Sequence, residues 1–217
     1  MLKGVPVDKR ATDKKAARGQ ATRAQIVQTA TLLFSTAGYE ATSIETVLAR
    51  SGVSRGALYH HFASKEALFT AVLEAMEARI AQATIDASRG IADRVEAMRV
   101  GGEAFLDLSR DPAIRQIVLI DAPAVLGWQK WRDIDARFGF GLLKGSLQAA
   151  ADGGRLRPDL VDIYAHILLA ALLETALVIA RAENPAEAAR LGRAALQELI
   201  DKLLGAPKPR PPQRKAR

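Results

Sequence analysis

The chain has 217 residues, 49% of them hydrophobic, which is enough for a small domain joined to a larger one. Cysteine is absent, which excludes a disulfide framework and any thiolate metal site. The formal charge of +7 is unevenly placed: residues 1–23 carry +5, 24–70 carry none, 71–204 carry −3 and 205–217 carry +5, so basic ends flank a mildly acidic body.

Met1 to Arg23 is polar and charged, with no apolar core stretch of the kind a secretory signal needs, which makes a cytoplasmic location the expectation. Residues 1–21 are expected to form a basic disordered arm; such ends hold phosphates in some proteins and serve only solubility in others. From Ile26 to Leu204 apolar residues recur at three and four residue spacing with few alternating β-branched runs, which predicts an all-α fold of about nine helices. The first helix carries Ile26, Val27, Ala30, Leu33, Phe34 and Ala37 on one stripe and stops at Gly38. Thr42-Ser-Ile-Glu45 has capping-box spacing and predicts a second helix with Ile44, Val47 and Leu48 inward. Ser51-Gly-Val-Ser54 breaks that helix, and Ser54 caps a short third one from Arg55 to about His61. This is a helix, tight turn, helix arrangement. Ser64 caps a long fourth helix whose stripe reads Leu68, Phe69, Val72, Leu73, Met76 and Ile80. Later breaks fall at 88–90, 111–112, 121–127, 152–158 and 184–185. Residues 205–217, rich in proline and basic residues, predict a disordered tail.

A helix-turn-helix reads DNA because its second helix fits the major groove, where base edges differ, while neighbouring groups hold phosphates. Ser54 to His61 suits that role: Arg55, Tyr59 and His60 are outward, Val53, Leu58 and Phe62 anchor the helix, and Gly56 and Ala57 permit close approach to the groove. The stretch Thr42 to Leu68, above all Gly52-Val-Ser-Arg-Gly-Ala-Leu-Tyr59 followed by Phe62 and Lys65-Glu66, resembles the DNA-binding motif of the TetR family of transcriptional regulators. The likeness spans roughly residues 22–70. It implies that Arg55, Gly56 and Ala57 lie at the groove, that Tyr59 and His60 contact backbone or base edges, and that Thr42 and Lys65 bind phosphate; Ser43 and Ser54, at the two helix starts, complete the DNA-binding set. Val47-Leu48 and Ser51 depart mildly from the commoner family residues. The implied division is a DNA-binding domain over 22–68 and a ligand-binding and dimerisation domain over 69–204.

In the larger half, aromatic residues gather between Phe105 and Phe140, and residues 119–143 resemble a stretch found in one subset of these regulators. An apolar pocket with a few polar contacts is the ordinary small-molecule site. The expected ligand-binding set is Phe105, Leu119, Asp121, Trp128, Trp131, Arg132, Phe138 and Glu174, with Asp135 and Arg137 as further polar groups nearby; aromatic residues at helical spacing also serve as plain core. The last two helices, with Ile163, Ile167, Ala170, Ala171, Glu174, Leu177 and Val178, then Ala188, Leu191, Ala195, Leu196, Leu199 and Leu203, predict a homodimer closed by a four-helix bundle. Residues 164–180 are nearly long enough to span a membrane, but His166 and Glu174 interrupt them, and no membrane is expected.

No phosphate-binding glycine loop and no histidine set with metal-ligand spacing occurs, so neither catalysis, metal nor cofactor is expected. His60 and His61 fall on different helix faces. The functional expectation is therefore a regulator, in the first instance a repressor, that leaves a pseudo-palindromic double-stranded operator when it binds a small, largely apolar effector. The alternative is a constitutive or nucleoid-like DNA binder without effector, and loss of operator affinity on ligand binding separates the two.

Overall fold

The computed structural model describes residues 9–205, with side-chain surroundings from residue 16 onward. The remainder of the expected arm and tail, residues 1–8 and 206–217, lies outside the described residues. Among the described residues every regular element is helical. They are α1 (Lys9–Ala41), α2 (Ile44–Ser51), α3 (Arg55–His61), α4 (Lys65–Ala87), α5 (Arg94–Leu108), α6 (Pro112–Ile114), a π-helical stretch (Arg115–Asp121) running straight into α7 (Ala122–Leu126), α8 (Trp128–Asp152), a 3-10 turn (Pro158–Leu160), α9 (Val161–Arg181) and α10 (Pro185–Leu204). With Pro112–Leu126 counted as one continuous run, the described residues hold nine helices, as the periodicity predicts.

Residues 9–21, expected as a disordered arm, instead continue α1. Alanine, lysine, arginine and glutamine are strong helix formers, and a helix already anchored at Ile26 extends through them with no new nucleation cost. α1 is interrupted where the sequence places its stop, at Gly38, whose φ of 78° is open to glycine at little cost, and a last short turn carries it on to Ala41.

The chain divides into two compact units: the first takes residues up to Met76 together with Pro112–Trp128, the second Glu77–Asp111 together with the chain from Gln129. This differs from the expected division at residue 68. The change falls inside α4, and Pro112–Trp128 belongs with the N-terminal helices because it supplies them with core. In the first unit Ile26, Ala30, Phe34, Leu58, Phe69 and Val72 are fully buried alongside Ile114, Ile117, Val118, Leu119 and Ala122. Phe34, Tyr39 and Phe69 form an aromatic triangle with ring centroids 5.0–5.7 Å apart. The link is also polar: the Tyr39 backbone N–H donates to Asp121 Oδ2 at 2.8 Å, and Gln116 Nε2 donates to Asp121 Oδ1 at 2.9 Å.

The second unit is built on α5, α8, α9 and α10, with Val95, Met98, Leu143, Leu147, Ala165, Leu168 and Ile200 in one apolar cluster. Arg99 of α5, only 4% exposed, straps this cluster to the end of α10. It pairs with Asp201 and donates to Gln197 Oε1 (3.1 Å) and the Gly205 carbonyl (2.9 Å). Among the described residues Pro158–Arg181 is the single helical run long and apolar enough to cross a membrane, and 44% of its most apolar window is buried within the protein. The buried face, Val161, Ala165, Leu168 and Leu169, belongs to the core cluster.

Candidate nucleic-acid interface and buried cavity

The reading helix stands on local chemistry. Gly52, at φ 66°, closes α2 and donates its N–H to the Leu48 carbonyl at 3.0 Å; the Ser54 hydroxyl then caps α3 by accepting from Ala57 N–H at 3.3 Å. Leu58, fully buried, and Phe62, 4% exposed, hold α3 to the first unit. The opposite face presents Arg55, Gly56, Tyr59 and His60, all exposed, spaced i, i+1, i+4 and i+5 so that they share one side. Nothing stands within 4 Å of a Cβ built on Gly56, so that face is open to close approach. Arg55 is held in register by Glu45 of α2, whose Oε1 accepts from it at 2.8 Å. The Glu45 carboxyl is lowered below its ordinary pKa by its own backbone N–H and by that guanidinium.

The two expected phosphate contacts, Thr42 and Lys65, need restating. Thr42 is 2% exposed and its hydroxyl donates to the Gly38 carbonyl at 2.8 Å, so it closes the turn after α1 and presents nothing outward. The cap of α2 is Ser43, one residue later than the capping-box spacing indicates, accepting from Thr46 N–H at 3.0 Å. Lys65 is half-buried, its ammonium 4.0 Å from the centre of the Tyr39 ring and 3.5 Å from the Glu40 carbonyl. Ser43, Ser54, Arg55, Gly56, Tyr59 and His60 are exposed, and Ala57 is half-buried.

The second unit encloses a cavity of about 300 Å³ walled by α4, α5, α8 and α9. Most of the wall is apolar: Ile80, Met98, Phe105, Phe138, Leu143 and Leu172 are representative. Of the eight expected ligand residues, Phe105 and Phe138 line it. Leu119, Asp121 and Trp128 belong to the first unit, where Leu119 is core, Asp121 accepts from Tyr39, and Trp128 is 60% exposed. Trp131 is fully buried and outside the lining, Arg132 is outside the lining and pairs with Asp135, and Glu174 is on the exposed face of α9. Arg137 is exposed.

Two acids that matter here are Glu77 and Asp135. Glu77 is 4% exposed, lines the cavity, and its Oε1 is buried with no hydrogen-bond partner. Burial, then the Asp135 charge, pushes its carboxyl up to about 8. Asp135, 6% exposed, accepts from Arg132 Nη1 at 2.9 Å; burial raises its carboxyl to about 6 against the lowering pull of that guanidinium. The sequence carries a signal for Glu77 that the periodicity reading passes over. It follows Met76 and stands four residues after Leu73 and three before Ile80, an acid set into a core stripe.

Residues 26–72 match the family described as bacterial regulatory proteins, tetR family, and residues 95–203 match the tetracyclin repressor-like C-terminal domain. The structure is similar to a TetR-family transcriptional regulator from Pectobacterium atrosepticum, with a TM-score of 0.76 and 31% identity, over 88% of this chain and 98% of that one. In sequence the chain is 27% identical over 160 residues to the HTH-type transcriptional repressor AcnR of Corynebacterium efficiens, covering 70% of this chain and 78% of AcnR. It is 34% identical over 85 residues to the HTH-type transcriptional activator FasR of Mycolicibacterium smegmatis, covering 39% of each. With an N-terminal helix-turn-helix, a C-terminal domain of the matching type and a solved relative superposable over nearly its whole length, the chain belongs to the TetR family of transcriptional regulators.

Proposed function

We propose that this regulator is a repressor that leaves its operator when a small molecule occupies the cavity of the second unit. The observation that carries the reading is the outward face of α3: Arg55, Gly56, Tyr59 and His60 on one side of a short helix whose other side is pinned by Leu58. A rigid rod with a basic, aromatic and glycine-bearing face suits the major groove, where an arginine fork matches the guanine edge. Repression as the direction follows AcnR, a repressor matched over 70% of this chain; FasR is an activator matched over a shorter stretch.

Members of this family act as dimers, and the exposed faces of α9 and α10 supply the proposed interface. Ile163, Ile167 and Val178 on α9 and Leu191 and Leu199 on α10 are 40–58% exposed, an apolar face that a second copy would cover. Leu177 and Leu196, expected on this face, are buried in the chain's own core. Two heads on one two-fold axis require half-sites about 34 Å apart per helical turn of DNA. α4 starts in the first unit and ends as a wall of the cavity, so a ligand that prefers one placement of α4 changes head spacing; this coupling is reciprocal with operator affinity. A protein reading chromosomal operators works in the cytoplasm.

The test has two steps. Duplexes selected from random sequence by the purified protein should converge on an inverted repeat, and small molecules that bind the protein should release that duplex. Selection that yields no consensus at moderate salt would overturn the DNA-reading assignment. A consensus duplex that no cavity ligand displaces would favour an effector-free DNA binder instead.

A further inference from the structure

The cavity has a polarity that the apolar count of its wall conceals. Its charged lining groups are Glu77 on α4, Arg94 on α5 and Asp135 on α8, while α9 contributes only leucines, Leu169, Leu172 and Leu173. Arg94 is exposed; Glu77 and Asp135 are buried. Along α4 and just past its end the lining runs Glu77, Ile80, Ala81, Thr84, Ile85 and Ser88, a span of about 16 Å at 1.5 Å per residue. A Cβ on Gly101 of α5 would meet Thr84 near the middle of that span, which sends Arg94 toward the Ser88 end and leaves Phe105 with the acids. The cavity is therefore long, with a closed acidic end and an exposed basic one.

The acidic end is unbalanced. Arg132 compensates Asp135, but no side chain offers Glu77 Oε1 a hydrogen bond. An unpartnered carboxyl in an apolar wall costs stability unless something binds it, and a fold does not need it for packing. A neutral ligand leaves Glu77 protonated and makes no use of Asp135. A cation compensates the second carboxylate and is attracted by both.

We propose that the effector is a lipophilic cation: an elongated apolar molecule with one protonated amine, seated with its ammonium between the Glu77 and Asp135 carboxyls. This rests on the cavity being the effector site. In the empty cavity Glu77 holds a proton at neutral pH, because burial and the Asp135 charge lift it to about 8. Arrival of the ammonium makes the carboxylate the better partner, and that proton goes to solvent.

Three probes of one shape separate the possibilities: 6-phenylhexylamine, 6-phenylhexan-1-ol and 6-phenylhexanoate, titrated calorimetrically into the full-length protein at pH 7 in two buffers of different ionisation enthalpy. The amine should bind about tenfold or more tighter than the alcohol, a gap equal to about one pKa unit of electrostatic preference, and the carboxylate should not bind. Amine binding should release protons and alcohol binding should not. Glu77→Gln, which keeps Asp135, should shrink the preference for the amine and end the proton release while leaving alcohol binding in place; if that variant does not fold, the proton release by the wild-type protein decides alone. Leu142→Trp, which puts bulk into the lining, should weaken both probes. Equal affinity for amine and alcohol, with both blocked by Leu142→Trp, overturns the cationic effector and leaves the cavity as the ligand site. Binding of none of the three, or binding indifferent to Leu142→Trp, overturns both.

Discussion

Arg55 and Glu77 show how differently two charged residues are used. Arg55 is exposed and parked on Glu45, an ion pair that solvent screens and that a guanine edge can replace. Arg55→Ala should cost roughly 1–3 kcal/mol of operator affinity and relax preference at one base pair. Lys65 lies over the Tyr39 ring, away from the outward face of α3, so any contact it makes is with the phosphate backbone and Lys65→Ala should weaken all duplexes alike. Competition binding with single-base operator variants checks both, and matched losses for the two substitutions would contradict the division of roles. Glu77 is governed by burial. Its folded carboxyl titrates at about 8 against an ordinary 4.5, so the native state binds more protons than the unfolded chain across that interval. Its contribution to stability is therefore full below 4.5 and is lost as pH climbs to about 8, a swing on the order of 5 kcal/mol, with Asp135 adding in the same direction below about 6. Denaturant melts should show the wild-type protein weaker at pH 8 than at pH 5.5 and Glu77→Gln with a flatter profile; an unchanged profile in the variant would mean that Glu77 is not the group responsible.

Elements written in local chemistry are the ones the sequence discloses. Gly38, Gly52 and Ser54 sit within a few residues of the turns they make, and the periodicity of α2, α3 and α4 needs no distant partner to be read. The ligand set was far less legible. Leu119, Asp121 and Trp128 cluster with aromatic residues along the chain, yet Asp121 is engaged by Tyr39, 82 positions away, a pairing no local pattern reveals. The start of α2 moved by one residue because Thr42 found the Gly38 carbonyl, an i−4 partner that competes with capping. The close approach of α9 and α10 at Gly192 is equally hidden. A Cβ at Gly192 would stand 2.6 Å from Thr175 Cγ2, and Thr175 cannot rotate away freely because its hydroxyl donates to the Ala171 carbonyl at 2.7 Å. Gly192→Ala gains helix propensity of about 1 kcal/mol and loses more to overpacking, typically about 1–3 kcal/mol, so little or negative net stability is expected. Thermal unfolding that rises in the variant would show that the two helices have room to separate.

At the scale of the whole molecule, one chain carries a single reading head, and a head that makes a handful of base contacts cannot select one site from a genome. Operator affinity must therefore draw on two heads held together, each raising the local concentration of the other. The apolar stripe on α9 and α10 is the interface proposed for this: its exposed residues are outside the core cluster, so substituting them should leave the chain's own packing intact. Ile167→Glu combined with Leu191→Glu would place four carboxylates within the proposed two-fold interface, adding like-charge repulsion and a desolvation cost to association. Light scattering should find the variant monomeric with unchanged helical circular dichroism. Its affinity for a complete inverted repeat should fall by about 100-fold or more, to that for a single half-site, because the linkage advantage of the second head is gone. A variant that stays dimeric would move the interface away from α9 and α10, and a monomer that still binds the full repeat with wild-type affinity would show that the heads do not act as a pair.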